Sequence, residues 1–126
     1  MPENVLDIKI AVQTKFLEDR LPAEEQKYAF AYHVAISNMS SQNVKLLNRY
    51  WLITDGNGKK TEVQGSGVIG EQPLIEAGQS FQYTSGAILE TPVGSMQGHY
   101  ELEDASGNLF KAPIEIFGLA VPNLLN

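Results

Sequence analysis

The sequence contains no cysteine. Disulfides, thiolate metal sites and cysteine nucleophiles are therefore excluded together, and a reducing compartment fits. No stretch reaches the roughly 18 consecutive apolar residues of a membrane-spanning helix, so no membrane partner is expected. Basic residues are few: 9 Lys plus Arg face 15 Asp plus Glu, for a formal charge of −6. The net field of such a chain opposes nucleic acid and anionic lipid alike, and neither is expected to bind. The start, Met1-Pro2-Glu3-Asn4-Val5-Leu6-Asp7, has early acids and no basic, apolar leader. A soluble cytoplasmic protein without a secretory signal is the expectation. Histidine is limited to His33 and His99, with no H-x-x-x-H spacing, and no serine lies in G-x-S-x-G. No catalytic residue, metal site or cofactor follows from these residues.

The chain is long enough to fold on its own core. It has 126 residues, 43% apolar and 19% charged, with 11 Gly and 6 Pro. One globular domain over residues 1–126 is expected. Its dominant period is 2. Leu6, Ile8, Ile10, Val12, Thr14 and Phe16 alternate with mostly polar neighbours, which describes a half-buried strand. Tyr28, Phe30, Tyr32, Val34 and Ile36 alternate with Ala29, Ala31, His33, Ala35 and Ser37. Large residues on one side and small ones on the other point to a central strand. A third strand runs from Val44 to Thr54, centred on Tyr50-Trp51-Leu52-Ile53. Asp55-Gly56-Asn57-Gly58 then predicts a hairpin, because Gly and Asn tolerate positive φ. Lys59 to Gln64 returns as a short strand.

Residues 18–27 read as a polar loop in which Glu24, Glu25 and Gln26 could add one helical turn. Gly65 to Gly78 reads as a long connection of little period. Strands are predicted at Ser80–Ser85, Met96–Glu103 and Leu109–Phe117, with a Gly and Pro segment from Gly86 to Gly94. In the last strand Phe110, Ala112, Ile114 and Ile116 alternate, and Pro113 marks an edge or a bulge. About seven strands and no long helix predict an all-β, antiparallel sandwich of immunoglobulin or fibronectin type III kind, with a small closed barrel as the alternative. Trp51 is expected in the core, met by aliphatic residues since no disulfide is available.

Gly65-Ser66-Gly67-Val68-Ile69-Gly70 matches G-x-G-x-x-G, but Glu71-Gln72-Pro73 follows it and no helix does. A dinucleotide fold is not supported. The amides of Gly65, Gly67 and Gly70 could instead form an anion nest, with Lys59, Lys60 or Arg49 supplying charge, or simply turn a loop corner. His99 with Glu101, Glu103 and Asp104 is a conceivable weak cation site, or an ordinary solvated strand face. Gln64, Val68, Ile69, Glu71 and Gln72 combine apolar tips with amides and would suit a protein partner.

The run Arg49-Tyr50-Trp51-Leu52-Ile53-Thr54-Asp55-Gly56-Asn57-Gly58 continues through Glu62 to Pro73, Tyr83-Thr84-Ser85-Gly86, Thr91-Pro92 and Gly94 to Tyr100. This string resembles the ApaG family, also called CorD, over essentially the whole chain. Ala77 departs from it, where many relatives have Pro. The resemblance implies a fibronectin type III-like sandwich, bacterial cytoplasm and a genetic link to cobalt and magnesium resistance or efflux. The gene often neighbours one for diadenosine tetraphosphate hydrolysis. Related eukaryotic domains, in an F-box protein and a DNA-polymerase-delta-interacting protein, serve binding. The family's glycine loop has been considered a pyrophosphate site, which here would rest on Gly65, Gly67 and Gly70. The leading expectation is a non-enzymatic protein-interaction domain in divalent-cation homeostasis. The alternative is a pyrophosphate or nucleotide binder or hydrolase.

Overall fold

The computed structural model describes residues 7–18 and 27–122. Leu6 and the helical turn expected at Glu24 to Gln26 lie outside the described residues. Eight strands form: β1 Ile8–Phe16, β2 Tyr28–Asn38, β3 Val44–Asp55, β4 Lys60–Ser66, β5 Leu74–Ile75, β6 Ser80–Leu89, β7 Val93–Glu103 and β8 Leu109–Ala120. No helix occurs among the described residues. The strands make two antiparallel sheets. One has the order β1-β2-β6, and the other has the order β4-β3-β7-β8, with β5 paired to the start of β3. The expected seven strands are all present, and the two-residue β5 is the addition.

β2 is central to the smaller sheet, as its large and small faces predict. Phe30, Tyr32, Val34 and Ile36 are buried, while the alanines between them lie on the outer face. Opposite them stand Trp51 from β3, Met96, Tyr100 and Leu102 from β7, and Ala112 and Ile114 from β8. Trp51 is in the core, within a buried cluster that includes Val34, Met96 and Ile114, and rings also pack against it. Tyr32, Tyr100 and Phe117 meet it edge-on, with centroids 5.3, 6.2 and 5.8 Å away. Edge-to-face contacts of this kind add about 0.5–1.5 kcal/mol each beyond the area they bury.

Two bulges reset which residues point inward. In β8 a register shift sets Met96 opposite Phe117 but Gly98 opposite Ile114. Glu115 and Ile116 are both exposed there. The inward set therefore changes from Phe110, Ala112 and Ile114 to Phe117 and Leu119. The alternation expected to carry Ile116 inward stops at the bulge, and Ile116 faces solvent. Pro113 sits on this outer strand, as an edge position allows. In β3 a shift between Leu46 and Asn48 has the same effect. Val44 and Leu46 point inward before it, and Trp51 does so after it.

β6 also differs from expectation. It continues through Gly86 to Leu89, because Gly86 pairs with Ala31 in unbroken register with β2. The Asp55 to Lys59 hairpin forms as expected, with Asp55 Oδ1 accepting the N–H groups of Asn57 and Lys59 at 2.8 and 2.9 Å. At the other end Asn38 is fully buried and fully bonded. Its Nδ2 donates to the carbonyls of Gln42 and Ile75 at 2.7 and 2.9 Å, and its Oδ1 accepts from Ser40. Its backbone bonds Gln79 and Gly78. At the departure noted above, the Ala77 N–H donates to Asn43 Oδ1 at 3.0 Å, a bond proline cannot make.

Tyr83 and Tyr100 share a hydrogen bond in the core. Burial pushes the Tyr83 phenol up to about 12, and burial raises Tyr100 further. Both folded values exceed the unfolded value of about 10. Protonated phenols therefore contribute stability that is complete below about pH 10 and lost as pH rises through the folded values. Cooperative unfolding between about pH 10 and 12 is expected. Phenolate absorbance and near-ultraviolet circular dichroism should change together there. Separate transitions would show the pair does not hold the fold at high pH.

Candidate functional site

The glycine loop is a tight, anchored structure. Beyond β4 the Gly67 N–H, at φ +64°, donates to the Leu47 carbonyl at 2.7 Å. Leu47 is the residue that bulges from β3. The N–H groups of Val68 and Glu71 each donate to the other's carbonyl, at 2.8 and 2.9 Å. They close a turn with Ile69 and Gly70 at its tip, at φ +42° and +80°. Two positive φ values mark the primed hairpin geometry, which Asn and Gly adopt at little cost. A β-branched residue at such a φ is an outlier and costs on the order of 1–3 kcal/mol.

Three contacts hold the loop. Arg49 Nη1 donates to the carbonyls of Ser66 and Gly67, at 3.0 Å each. Its guanidinium lies over Gly65, where an added Cβ would stand 3.1 Å from it. Gln72 Nε2 donates to the Leu47 carbonyl at 2.9 Å. Within this frame adjacent side chains diverge. Val68 is 1% exposed and belongs to the core, whereas Ile69 is 55% exposed. Val68 is thus not one of the apolar tips that the sequence suggested, and Ile69 is. Gln64, Glu71 and Gln72 are exposed as well.

Of the cations suggested for phosphate, Arg49 reaches the glycine loop and the two lysines are placed away from it. Lys60 pairs with Thr54 and Gly65 with Arg49, so the two are five residues apart along β4. That is roughly 16 Å at the rise of a strand. Lys59 lies in the hairpin and approaches Glu90 at 3.8 Å. The Gly67 amide is spent on Leu47, so it does not point into an open nest.

A second feature lies on the outer face of the larger sheet. A shallow cavity of about 340 Å³ crosses four strands, lined by Asn48, Tyr50, Gln64, His99, Glu101 and Lys111 among others. Tyr50 and His99 are cross-strand partners and stack at 5.1 Å. Tyr50 donates to Glu62 Oε2 at 2.6 Å, and this bond holds its phenol above the usual range. Asn48 Nδ2 donates to Glu101 Oε1 at 2.6 Å. Asp104 turns away to cap the β7–β8 turn. Its carboxyl is held below the usual range, chiefly by the Asn108 backbone N–H. Among the described residues no three His, Asp or Glu side chains gather as metal ligands. His33 lies on the other sheet, bonded to Thr84 and Gln82 at 2.8 and 2.9 Å. Sequence reasoning missed the Tyr50–His99 and Asn48–Glu101 pairs, because register across strands is not local.

Comparison with known proteins agrees with this fold. The ApaG domain family model matches residues 18–104. The chain is 55% identical to Protein ApaG of Proteus mirabilis, over 94% of this chain and 95% of that one. Against Protein ApaG of Pectobacterium atrosepticum the identity is 48%, over 98% of each chain. An X-ray structure of a structural genomics target superposes with a TM-score of 0.89 at 47% identity, covering 94% of this chain and 89% of that one. A crystal structure described as an ApaA protein from Bordetella pertussis gives a TM-score of 0.90 at 40% identity, covering 94% and 96%. With the family model spanning most of the sequence and full-length relatives at about half identity, the chain belongs to the ApaG family.

Proposed function

We propose that this ApaG-family chain is a non-enzymatic protein-interaction domain of the bacterial cytoplasm, acting in divalent-cation homeostasis. One observation carries the interaction reading: Ile69 is apolar, exposed and held at φ +42° by a loop clamped from several sides. Strain at an exposed position does not help the fold. It fits a tip kept for contact with a protein partner, and the polar Gln64, Glu71 and Gln72 are exposed as well. The link to cobalt and magnesium comes from the family resemblance alone. Among the described residues no helix is long and apolar enough to cross a membrane, which is compatible with that setting. The alternative, a pyrophosphate or nucleotide binder or hydrolase, would draw on the glycine amides, of which that of Gly67 here bonds the Leu47 carbonyl.

Ile69→Asn tests the reading in two ways. Asn tolerates positive φ, so stability should rise by about 1 kcal/mol in denaturant unfolding. Partners crosslinked in cells, with and without cobalt stress, should at the same time be lost. A more stable variant that captures the same partners as the parent would remove this surface from consideration.

A further inference from the structure

The outer strands of the two sheets are not protected alike. β8 carries Pro113 and the Glu115–Ile116 bulge, and both blunt an edge. β1 carries Lys9 and Lys15, and β4 carries Lys60 and Glu62. β6 has none of these devices. From Ser80 to Leu89 it holds no charged residue and no proline, and it pairs with β2 without a register shift. Among the described residues β2 is its sole strand partner. Among the described residues, one side of this ten-residue strand therefore presents N–H and C=O groups to whatever can pair with them.

We propose that β6 pairs antiparallel with β6 of a second copy, about a two-fold axis through Thr84, so that the two three-stranded sheets become one. The sequence of the strand fits this register. With Thr84 opposite itself, outer-face residues meet outer-face residues and both cores stay on the same side. On the inner face Tyr83 then meets Ser85, and Phe81 meets Ala87. On the outer face Gln82 meets Gly86. Each large side chain stands beside a small one. No like charges are opposed, since the strand has none. An isologous contact of this kind closes at two copies and leaves no further β6 edge exposed.

The cysteine-free chain gives a direct test. Directly opposed residues have Cα atoms about 4.5–5.5 Å apart, within the range of about 4.4–6.8 Å that a disulfide spans. Thr84→Cys is expected to form a disulfide dimer, under mild oxidation of dilute protein, at least about 10-fold faster than Ser106→Cys in the exposed β7–β8 turn. Gln82→Cys should crosslink at the slow rate, because its copies would stand roughly 13 Å apart along the strands. In sedimentation, Thr84→Lys and Thr84→Glu should each weaken self-association by about fivefold, and mixing the two should restore it. Both remove the hydroxyl that bonds His33, so the comparison that reads charge is between each variant alone and the mixture. A Thr84→Cys rate equal to the Ser106→Cys rate would overturn the proposal. So would a monomer at every concentration, even if β6 then takes up an extended segment of another protein.

Discussion

Gly98→Ala is expected to destabilise the domain by about 3–5 kcal/mol, which for a chain of this size lowers Tm by about 10–20 °C. Gly98 faces Trp51 across the central β3–β7 pair. A Cβ at position 98 would overlap the Tyr50 carbonyl oxygen and stand 3.1 Å from the Trp51 Cα. Both obstacles are backbone, so neither can swing aside. Relief requires parting two strands at the point where Trp51 is boxed in by rings. Gly118→Ala is the control. Nothing lies within 4 Å of its added Cβ, and its φ is not positive. It should change stability by less than about 0.5 kcal/mol. Equal melting temperatures for the two variants would show that the contact at Gly98 is not what the packing implies.

The second large effect separates neighbours. Val68→Asp is expected to cost about 4 kcal/mol or more, because it replaces a 1% exposed aliphatic side chain with a carboxylate that has no partner. Ile69→Asp, one residue on, should cost less than about 1 kcal/mol. The sequence groups the two as equivalent tips. The turn sends one into the core and the other into water. Urea unfolding of both variants checks this. If Val68→Asp is as stable as Ile69→Asp, the side chain of Val68 is not where the loop anchors. Partner capture by Val68→Asp would report unfolding and not the surface, so Ile69 is the position to alter.

Much of the fold is legible in the sequence. The alternation from Tyr28 to Ser37 marked β2 as central, and Asp55-Gly56-Asn57-Gly58 marked the hairpin. Both signals are local: side-chain direction within one strand, and φ tolerance at two residues. What escaped reading depends on partners distant in sequence. The bulges at Leu47 and at Glu115–Ile116 switch the inward set halfway along β3 and β8. Strict alternation therefore placed Ile116 inward when Phe117 takes that position. Gly86 looked like a strand end, yet it continues β6 because a glycine at negative φ pairs as other residues do. The site was legible as a loop but not as a surface. Nothing in Gly65 to Gly70 says that Arg49 lies across it, or that the bulged Leu47 carbonyl takes the Gly67 amide.

The saturation of Asn38 has a consequence for how that pole of the molecule behaves. Its amide and backbone join the turn after β2, the short β5 and the corner before β6. None of these three pieces can detach while the others keep their shape. Slow amide exchange should thus extend over all of them with one opening free energy, and the pole should melt as a block instead of fraying segment by segment.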